Sequence, residues 1–563
     1  MTKSRCLLVS DFTIEGLAPH LEPEIQATAA PFGQISVTLL DPDQPCWRDP
    51  IEHVFVWTRP QAVSRNYYDL ANGESRSFDD TAREIDEFVL HLRACAKRVR
   101  HVFIATWTRP TYERGLGLLD MDPEAGHSYH LMRMNTYLAD QLLTDSNIHL
   151  LNADPWIMNI GSESTNPKLW FMGKMAFSAQ VLKLAAQDLA AAVRAVKGET
   201  KKLIILDLDN TLWGGIVGDV GWESLSLGGH DPIGEAFVEF QKALKVLTRR
   251  GVMLAIASKN TESIALEAID NHPEMVLRRP DFVNWRINWD DKAQNIFELV
   301  EEINIGLDSV VFIDDSPVER ERVKHAIPDI FVPEWPVNPM MYIQALSSLE
   351  CFDSASISSE DRARTEMYVS EQKRTQLKAK VSSAEDYYSA LDLHVTYSQL
   401  EESNLKRAAQ LLNKTNQMNL ATRRMSEKEL FEWHSNEENT IFTFEVTDRF
   451  GSYGLTGLAG VSSRGESAKV TDFVVSCRVI GRGVEQVMLS VLIEHAASVQ
   501  KKKLEAEFHP TDRNDPCRRF FRDISKFEQV LSSGRELYTW DLESNYESPA
   551  YVTLEKRQQR ASG

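Results

Sequence analysis

Short apolar runs alternate with longer stretches of helical period at the start of the chain. The runs CLLVS, HVFVWT, HVFIATWT and NIHLLNA are rich in branched and aromatic residues, and each ends in polar residues. Helical patterns lie between them, such as DDTAREIDEFVLHLRACAKRV, and FSAQVLKLAAQDLAAAVRAV precedes Gly198. Strands separated by helices are typical of a parallel sheet, so residues 1–197 are predicted to form an α/β domain.

The rest of the chain divides by the same patterns. Residues 198–352 contain the strand-like runs IILDL, VMLAIAS and SVVFI with helical stretches between them, which predicts a second α/β domain. Residues 353–384 are charged and helical in period, as expected of a helical linker. Residues 385–550 combine several strand patterns with a helix near Gly483, which predicts a smaller α/β domain, and residues 551–563 are predicted to be a flexible tail. The fold class is therefore multidomain α/β.

Composition and charge narrow the function classes. The 563 residues are 43% hydrophobic and 26% charged, which fits globular domains with large cores. A net charge of −20 argues against sequence-independent nucleic-acid binding, which needs a basic surface. No apolar stretch is long enough to span a membrane, and the six cysteines are scattered without a CxxC pair. These features predict a reduced, cytoplasmic protein that binds neither nucleic acid nor membrane.

Carboxylate, hydroxyl, amide and ammonium side chains follow the apolar runs of the second domain. They are Asp207, Asp209, Thr211, Ser258, Lys259, Asn260, Lys292, Asp314 and Asp315. The carboxyl ends of parallel strands meet in one crevice, so these side chains are expected to converge there. Carboxylates suit Mg²⁺, which relieves their mutual repulsion, and hydroxyl and ammonium groups suit phosphate oxygens. Acidic residues at strand ends also have a structural explanation, but the convergent set favours a magnesium-dependent phosphoryl site.

This ordered set resembles the haloacid dehalogenase superfamily of phosphotransferases. The resemblance implies that Asp207 is the nucleophile, Asp209 the general acid and base, and Lys292 the charge clamp, with Ser258, Thr211 and Asn260 on the phosphate side. Mg²⁺ is then expected on Asp207, Asp209, Asp314 and Asp315. The intervals 210–257 and 259–291 are too short for crossover helices plus a cap domain, so a capless Rossmann-like domain is predicted.

A glycine-rich segment marks the third domain. Arg478, Gly481 and Gly483 form R-x-x-G-x-G between a strand pattern and a helix, where backbone amides can approach a phosphate. A plain turn is the alternative reading, but the context resembles the coenzyme A-binding loop of the GNAT acetyltransferase fold. Cys477 precedes this loop beside Arg478, which would favour its thiolate, although most single cysteines are buried core residues.

Nearly the whole chain resembles the FkbH-like proteins of polyketide pathways. The motifs that carry this resemblance are DLDNTLWGG, SKN, FIDDSPVERE, NKTNQMN, DRFGSYG and SCRVIGRGVE. The family implies a glyceryl transferase and phosphatase that takes 1,3-bisphosphoglycerate, a phosphorylated three-carbon substrate, and loads D-glyceryl onto a phosphopantetheinylated acyl carrier protein. Many relatives have cysteine where this chain has Ala257, so either Cys477 carries the acyl group or no covalent thioester forms.

The first domain is similar to SGNH-hydrolase-like folds. Ser10 and Asp11 stand at a strand end as a nucleophile block would, but no DxxH partner follows, so hydrolysis is not expected there. The tetrapeptide WTRP occurs at 57–60 and again at 107–110, which we interpret as matching strand ends over one cleft.

Two other function classes stay open. One is a phosphatase of a small metabolite whose flanking domains are structural, and the other is a non-catalytic assembly protein. Basic residues that could dock an acidic carrier are Arg423–Arg424 and Arg518, Arg519 and Arg522, for which a solvated surface is the alternative.

Overall fold

The computed structural model describes most of the chain. The described residues are 3–74, 77–303, 305–354, 370, 374, 377, 384–415, 417–476, 478–511, 514–524, 528–532, 535–543 and 546–557. They divide into two compact units, one from residues 1–202 with 341–357, and one from residues 203–340 with 358–563. Among the described helices, none combines the length and apolar character that crossing a membrane requires.

The first unit is built on a five-stranded, all-parallel sheet. Its strands are β1 (Ser4–Ser10), β2 (Ile25–Ala29), β3 (His53–Trp57), β4 (His101–Ala105) and β5 (Ile148–Leu151), in the order β2-β1-β3-β4-β5. Its helices are α1 (Ala18–Leu21), α2 (Ile35–Leu40), α3 (Pro60–Val63), α4 (Arg65–Ala71), α5 (Phe78–Ala96), α6 (His127–Leu142), α7 (Asp154–Ile160), α8 (Pro167–Gly173) and α9 (Ala179–Lys197). The predicted strands are confirmed, and β2 is an additional one.

The two copies of WTRP meet in this sheet. Trp57 is the last residue of β3 and Trp107 lies just past the end of β4, and both side chains are buried. The indole Nε1 of Trp107 donates a hydrogen bond to Thr58 Oγ1 at 3.0 Å, so the second copy contacts the first directly. Both copies therefore lie at the carboxyl ends of strands, which confirms the part of the prediction that concerns matching strand ends.

The second sheet has four parallel strands. They are β6 (Leu203–Leu206), β7 (Met253–Ser258), β8 (Phe282–Ile287) and β9 (Val310–Ile313), in the order β8-β7-β6-β9. The helices of residues 203–347 are α10 (Val217–Val220), α11 (Pro232–Arg249), α12 (Glu262–Asn271), α13 (Lys292–Ile303), α14 (Pro317–Ala326) and α15 (Tyr342–Ser347). Residues 210–257 and 259–291 are all described and hold only crossover elements and short loops, so no cap domain is inserted in them.

The third sheet is mixed and nine-stranded. Its strands are β10 (Leu393–Gln399), β11 (Met418–Asn419), β12 (Asn439–Asp448), β13 (Gly451–Ser462), β14 (Ser467–Val475), β15 (Lys503–Phe508), β16 (Glu528–Ser532), β17 (Arg535–Asp541) and β18 (Val552–Lys556). The order is β16-β17-β15-β14-β13-β12-β10-β18, with β11 paired to β14. Its helices are α16 (Ala384–Leu391), α17 (Glu402–Lys414), α18 (Glu427–His434), α19 (Val484–Ser498) and α20 (Asp515–Arg519). The predicted helix near Gly483 is α19.

Strands β14 and β15 pair along only part of their length. Their parallel ladder ends at Val470 and Ala506, and the short strand β11 fills the gap beyond it. The amide of Leu420 donates to the Phe473 carbonyl, and the amide of His509 donates to the Leu420 carbonyl, each at 3.1 Å. Residues 418–420 therefore form a buried wedge between the two diverging strands.

Two domain boundaries differ from the sequence prediction. Residues 552–556, assigned to a flexible tail beginning at residue 551, form β18, which pairs in parallel with β10 because Val552 and Leu554 pack on the sheet. Residues 341–352, assigned to the second domain, cluster with the first unit. The predicted helical linker 353–384 lies almost wholly outside the described residues.

We expect a chain that ends at Ala550 to lose stability in the third domain. The truncation removes the β18 pairing, the burial of Val552 and the stacking of Tyr551 on Tyr388. Burial of one aliphatic side chain is worth about 2 kcal/mol, so the free energy of unfolding should fall by roughly that amount or more. Urea denaturation measures it, with a chain ending at Arg557 as the control that keeps the strand. Equal midpoints for the two chains would show that β18 contributes nothing.

Candidate active site

The register of the second sheet brings three of its strand ends together. Leu206 of β6 is level with Ile256 of β7 and with Ile313 of β9. Asp207 and Asp314 directly follow two of these positions and Ser258 lies two residues past the third, so the three lie at one edge of the sheet. Lys292, the first residue of α13, reaches the same edge. The convergence predicted from the sequence is therefore present in the fold.

Lys292 is the buried cation of this edge. Its ammonium lies 2.6 Å from Asp314 Oδ2 and 2.9 Å from Asp207 Oδ1, and its side chain is only 4% exposed. The contact with Asp207 Oδ1 is a buried ion pair, and that oxygen has no other partner among the described residues. Burial alone would lower the pKa of Lys292, but the two carboxylates outweigh it and raise that pKa. Lys292 is therefore charged.

Asp315 completes a cluster of carboxylates. Ligand oxygens of Asp207, Asp314 and Asp315 lie within 4.8 Å of one another, as the ligands of a metal ion would. The Asp315 amide donates to the hydroxyl of Thr211 at 3.2 Å. Arg320 holds the same turn, since its Nη1 donates to the backbone carbonyls of Asp314 and Asp315 at 2.8 and 2.9 Å. Arg320 was not predicted from the sequence. Its contacts form only because the first turn of α14 brings its guanidinium group back to the carbonyls that precede the helix.

Burial and mutual repulsion act on the carboxyl groups of this cluster. The pKa of Asp314 is raised to about 6, first by burial and then by the neighbouring charge of Asp207. The pKa of Asp315 is raised for the same two reasons. Two of the three carboxylates contact the one ammonium and the third has no cation of its own among the described residues, so the cluster retains negative charge in a buried place. That set of clustered carboxylate oxygens fits a divalent cation that prefers oxygen ligands.

Asp209 does not join the carboxylate cluster. Its Oδ1 accepts hydrogen bonds from Trp213 Nε1 at 2.8 Å and from the Val217 amide at 3.1 Å, and its Oδ2 accepts from Asn260 Nδ2 at 2.9 Å. The donors hold its side chain apart from the other three carboxylates, and its expected role as a metal ligand stays a prediction. Burial raises the pKa of Asp209, as suits a group that donates a proton.

The remaining predicted site residues divide into two groups. Ser258 ends β7 with a buried side chain, and no hydrogen bond from its hydroxyl exists among the described residues, so this group is available to a ligand. Thr211 and Asn260 are buried and bonded to Asp315 and Asp209, so each positions a neighbouring residue of the site, and their contact with phosphate stays a prediction. Lys259 forms an ion pair with Glu319 at 2.7 Å.

A side chain of the following helix binds the glycine loop of the third domain. Gly481 and Gly483 have φ angles of +77° and +85°, which favour glycine, and Gly483 precedes the first residue of α19. The amide of Gly481 donates to the buried carboxylate of Glu485 at 2.5 Å, so an internal anion takes the place expected for a phosphate. Burial raises the pKa of Glu485. Arg478 lies three residues before Gly481 in the same segment. Cys477 lies outside the described residues.

Two motifs without an assigned role in the sequence are structural. NKTNQMN supplies the wedge strand β11, whose Asn419 carbonyl accepts from the buried Asn514 side chain at 3.0 Å. DRFGSYG forms a turn in which Asp448 accepts from Phe450 and Gly451 amides at 2.9 and 3.1 Å and binds Arg374 at 2.6 Å. These contacts give a structural role to Asn419 in the first motif and to Asp448 in the second.

The basic residues considered for carrier docking are occupied. Arg423 pairs with the buried Asp472, and Arg424 donates to backbone carbonyls. Arg518, Arg519 and Arg522 pair with Glu536, Asp515 and Asp523 respectively. In the first unit, Asp11 binds Arg59 at 2.7 Å and Ser10 Oγ accepts from the Phe12 amide at 3.1 Å, so the pair stabilises a turn.

A solved phosphatase structure is similar to most of the chain. It is the N-terminal part of a Bacteroides fragilis protein, which contains a phosphatase domain and is complexed with Mg; it shows 28% identity and a TM-score of 0.57, with 63% of this chain and 95% of that chain covered. It agrees with the predicted dehalogenase-type domain and with the predicted magnesium. The narrower FkbH-like and SGNH-like assignments stay predictions.

Solved acetyltransferases resemble a smaller part of the chain. The ribosomal-protein-S18-alanine N-acetyltransferase from Escherichia coli shows 15% identity and a TM-score of 0.20, with 26% of this chain and 90% of that chain covered. The spermidine N-acetyltransferase from Vibrio cholerae in complex with CoA and spermine shows 15% identity and a TM-score of 0.21, with 26% and 96% covered. These TM-scores are too low to carry an inference. No family model and no curated protein matches the sequence.

The cluster predicts different effects for two neighbouring aspartates. Asp315→Asn removes a clustered carboxylate and should weaken Mg²⁺ binding by about tenfold or more, because a hard cation prefers charged oxygen ligands. Asp209→Asn keeps the clustered oxygens and should leave Mg²⁺ affinity within about threefold of the parent, while turnover is lost. Calorimetric titration with MgCl₂ measures both affinities. An equal loss for the two variants would put the Asp209 side chain back among the ligands.

Mg²⁺ binding should also release protons near neutral pH. The raised pKa of Asp314 means that part of the metal-free protein carries a proton there, and the metal requires the deprotonated form. Affinity is therefore full well above pH 6 and falls as the pH drops through about 6. Titrations at about pH 6 in two buffers of different ionisation enthalpy count the protons released. A binding enthalpy that is the same in both buffers would contradict this linkage.

Proposed function

We propose that the second sheet carries a Mg²⁺-dependent phosphatase site that works through an aspartyl-phosphate. The observation that carries this proposal is the cluster of Asp207, Asp314 and Asp315 beside Lys292 at the carboxyl edge of a parallel sheet. The similarity to a phosphatase domain complexed with Mg supports it independently. Asp207, Asp314 and Asp315 are the residues that would hold the ion.

The residues divide the reaction between them. Asp207 attacks the phosphorus atom, an aspartyl-phosphate forms, and the bond to the leaving alcohol breaks. Asp209 donates a proton to that alcohol and then takes one from the water that hydrolyses the intermediate. Ser258 and Lys292 bind the phosphoryl oxygens, and Lys292 stays charged while it does so. Mg²⁺, when bound, neutralises the negative charge that attends phosphoryl transfer.

Within that activity we propose a more specific role in carrier loading. A thiolate attacks the carbonyl carbon of 1,3-bisphosphoglycerate, inorganic phosphate leaves, and a thioester forms. The phosphatase site removes the remaining phosphate, and the pantetheine thiolate of an acyl carrier protein takes the glyceryl group. The support is the motif resemblance along the chain, together with the absence of an inserted cap domain between residues 210 and 291. A phosphatase of a free metabolite is the competing function.

The described cysteines leave few candidates for the thioester. Burial raises the pKa of every one of them, which are Cys6, Cys46, Cys95, Cys351 and Cys517. A raised pKa makes a thiol a poorer nucleophile at neutral pH. Cys477 therefore remains the proposed acyl carrier, next to Arg478 and the loop of Gly481 and Gly483.

The first test separates phosphatase activity from its absence. Asp207→Asn should lower phosphate release from p-nitrophenyl phosphate by at least about a thousandfold, because the nucleophile is lost. Asp188→Asn is the matched control, since Asp188 belongs to the first unit and bonds only Trp156 among the described residues. Wild-type rates from the Asp207 variant would remove this nucleophile from the mechanism.

The second test asks for transfer. The protein is incubated with 1,3-bisphosphoglycerate, Mg²⁺ and a holo carrier protein, and intact masses are read. A glyceryl adduct on the holo but not the apo carrier supports loading, whereas phosphate release without any adduct leaves the free-metabolite phosphatase. Cys477→Ala should abolish loading and Cys46→Ala should not. Unchanged loading by Cys477→Ala would exclude a thioester on that residue.

A further inference from the structure

A cleft rich in arginine opens at the carboxyl edge of the first sheet. Its volume is about 680 Å³, a size that suits a small metabolite. Four arginines line it, namely Arg59, Arg65, Arg109 and Arg114, and Glu113 is the one carboxylate among the lining residues. Arg59 and Arg109 are the equivalent arginines of the two WTRP copies, so the repeated motif supplies this cleft with two of its cations.

Carboxylates that do not line the cleft hold three of these arginines in place. Asp11 pairs with Nε of Arg59 at 2.7 Å, and Asp69 pairs with Nε of Arg65 at 2.9 Å. Arg109 binds Asp120 at 2.9 Å and Ser128 at 2.8 Å. Asp11 and Asp69 are buried, so these contacts fix the guanidinium groups against the protein.

Several N–H donors of these arginines have no hydrogen-bond partner among the described residues. Arg59 and Arg65 each pair with a carboxylate through Nε. Among the described residues, Nη1 and Nη2 of both arginines have no hydrogen bond. Arg114 is exposed and makes no ion pair or hydrogen bond with described residues. Nη2 of Arg109 is buried without a partner. Forked N–H donors that are already oriented favour bidentate binding of a phosphate group.

A neutral ligand would not use this arrangement. Three of the four lining arginines are paired with carboxylates that do not line the cleft, but the N–H donors that those pairs leave unused are more than an anion with one charge would take. A phosphate monoester carries up to two charges and three acceptor oxygens, which matches the larger number of donors. Gln61, Tyr68 and Asn72 line the same cleft and can bond hydroxyl groups of the attached carbon chain.

We propose that this cleft is a second anion-binding site, which binds the phosphate group of a small phosphorylated metabolite. It is built only from residues of the first unit and shares none with the carboxylate cluster of the second sheet. It therefore stands whether or not the phosphatase proposal holds.

The test uses 3-phosphoglycerate as the probe and the full chain in EDTA. Arg65→Gln combined with Arg114→Gln should weaken binding by roughly tenfold or more, because two charge-assisted contacts are lost. Arg100→Gln is the matched control: Arg100 is 74% exposed and paired with Glu52, much as Arg65 is 75% exposed and paired with Asp69, but it precedes β4 at the opposite edge of the sheet. Glycerate, which lacks the phosphate, should bind more weakly than the probe.

A second readout locates the ligand. Phenylglyoxal modifies exposed arginines, and 3-phosphoglycerate should protect Arg114 but not Arg100 from it, as peptide masses will report. Hydrolysis of p-nitrophenyl phosphate should be unchanged in the Arg65 and Arg114 double variant. Equal affinity of that variant and the parent, no detectable binding by the parent, or an unprotected Arg114 would each overturn the proposal.

Discussion

The repulsion among buried carboxylates is the constraint on which the second sheet depends. Parallel pairing of β6 with β7 and β9 places Asp207 and Asp314 side by side, and the turn after β9 adds Asp315. Water cannot screen charges there, so the fold needs a cation among them. Lys292 supplies one from the first residue of α13, a position that the helix dipole disfavours. The favourable ion pairs explain why a lysine occupies that position.

Sequence patterns predicted the parts of the fold that local rules decide. The strand runs of the first sheet and the alternation of strand and helix are confirmed, because apolar period and polar endings are properties of single segments. Strands β2, β8 and β15–β18 were missed or assigned to other states. Their residues alternate with polar ones or lie at edges, so only the pairing partner distinguishes them from loops.

The candidate site was likewise predicted only in part from the sequence. The identity of the clustered residues followed from strand ends that converge in a parallel sheet. The orientation of Asp209 did not, because it is set by Trp213, Val217 and Asn260, which come from a loop and from the next strand end. In the third domain, Glu485 caps the Gly481 amide through a contact between residues four apart, which the spacing of glycines alone does not reveal.

The wedge of residues 418–420 gives the third sheet an unusual construction. Strands β14 and β15 are joined by backbone pairing at one end only, and at the other end each bonds to the inserted segment rather than to its neighbour. The sheet thus has two parts, one ending at β14 and the other beginning at β15, and residues 418–420 lie between them. The segment that separates them belongs to the α17–α18 connection. The divergence of β14 and β15 therefore depends on residues that are in neither strand.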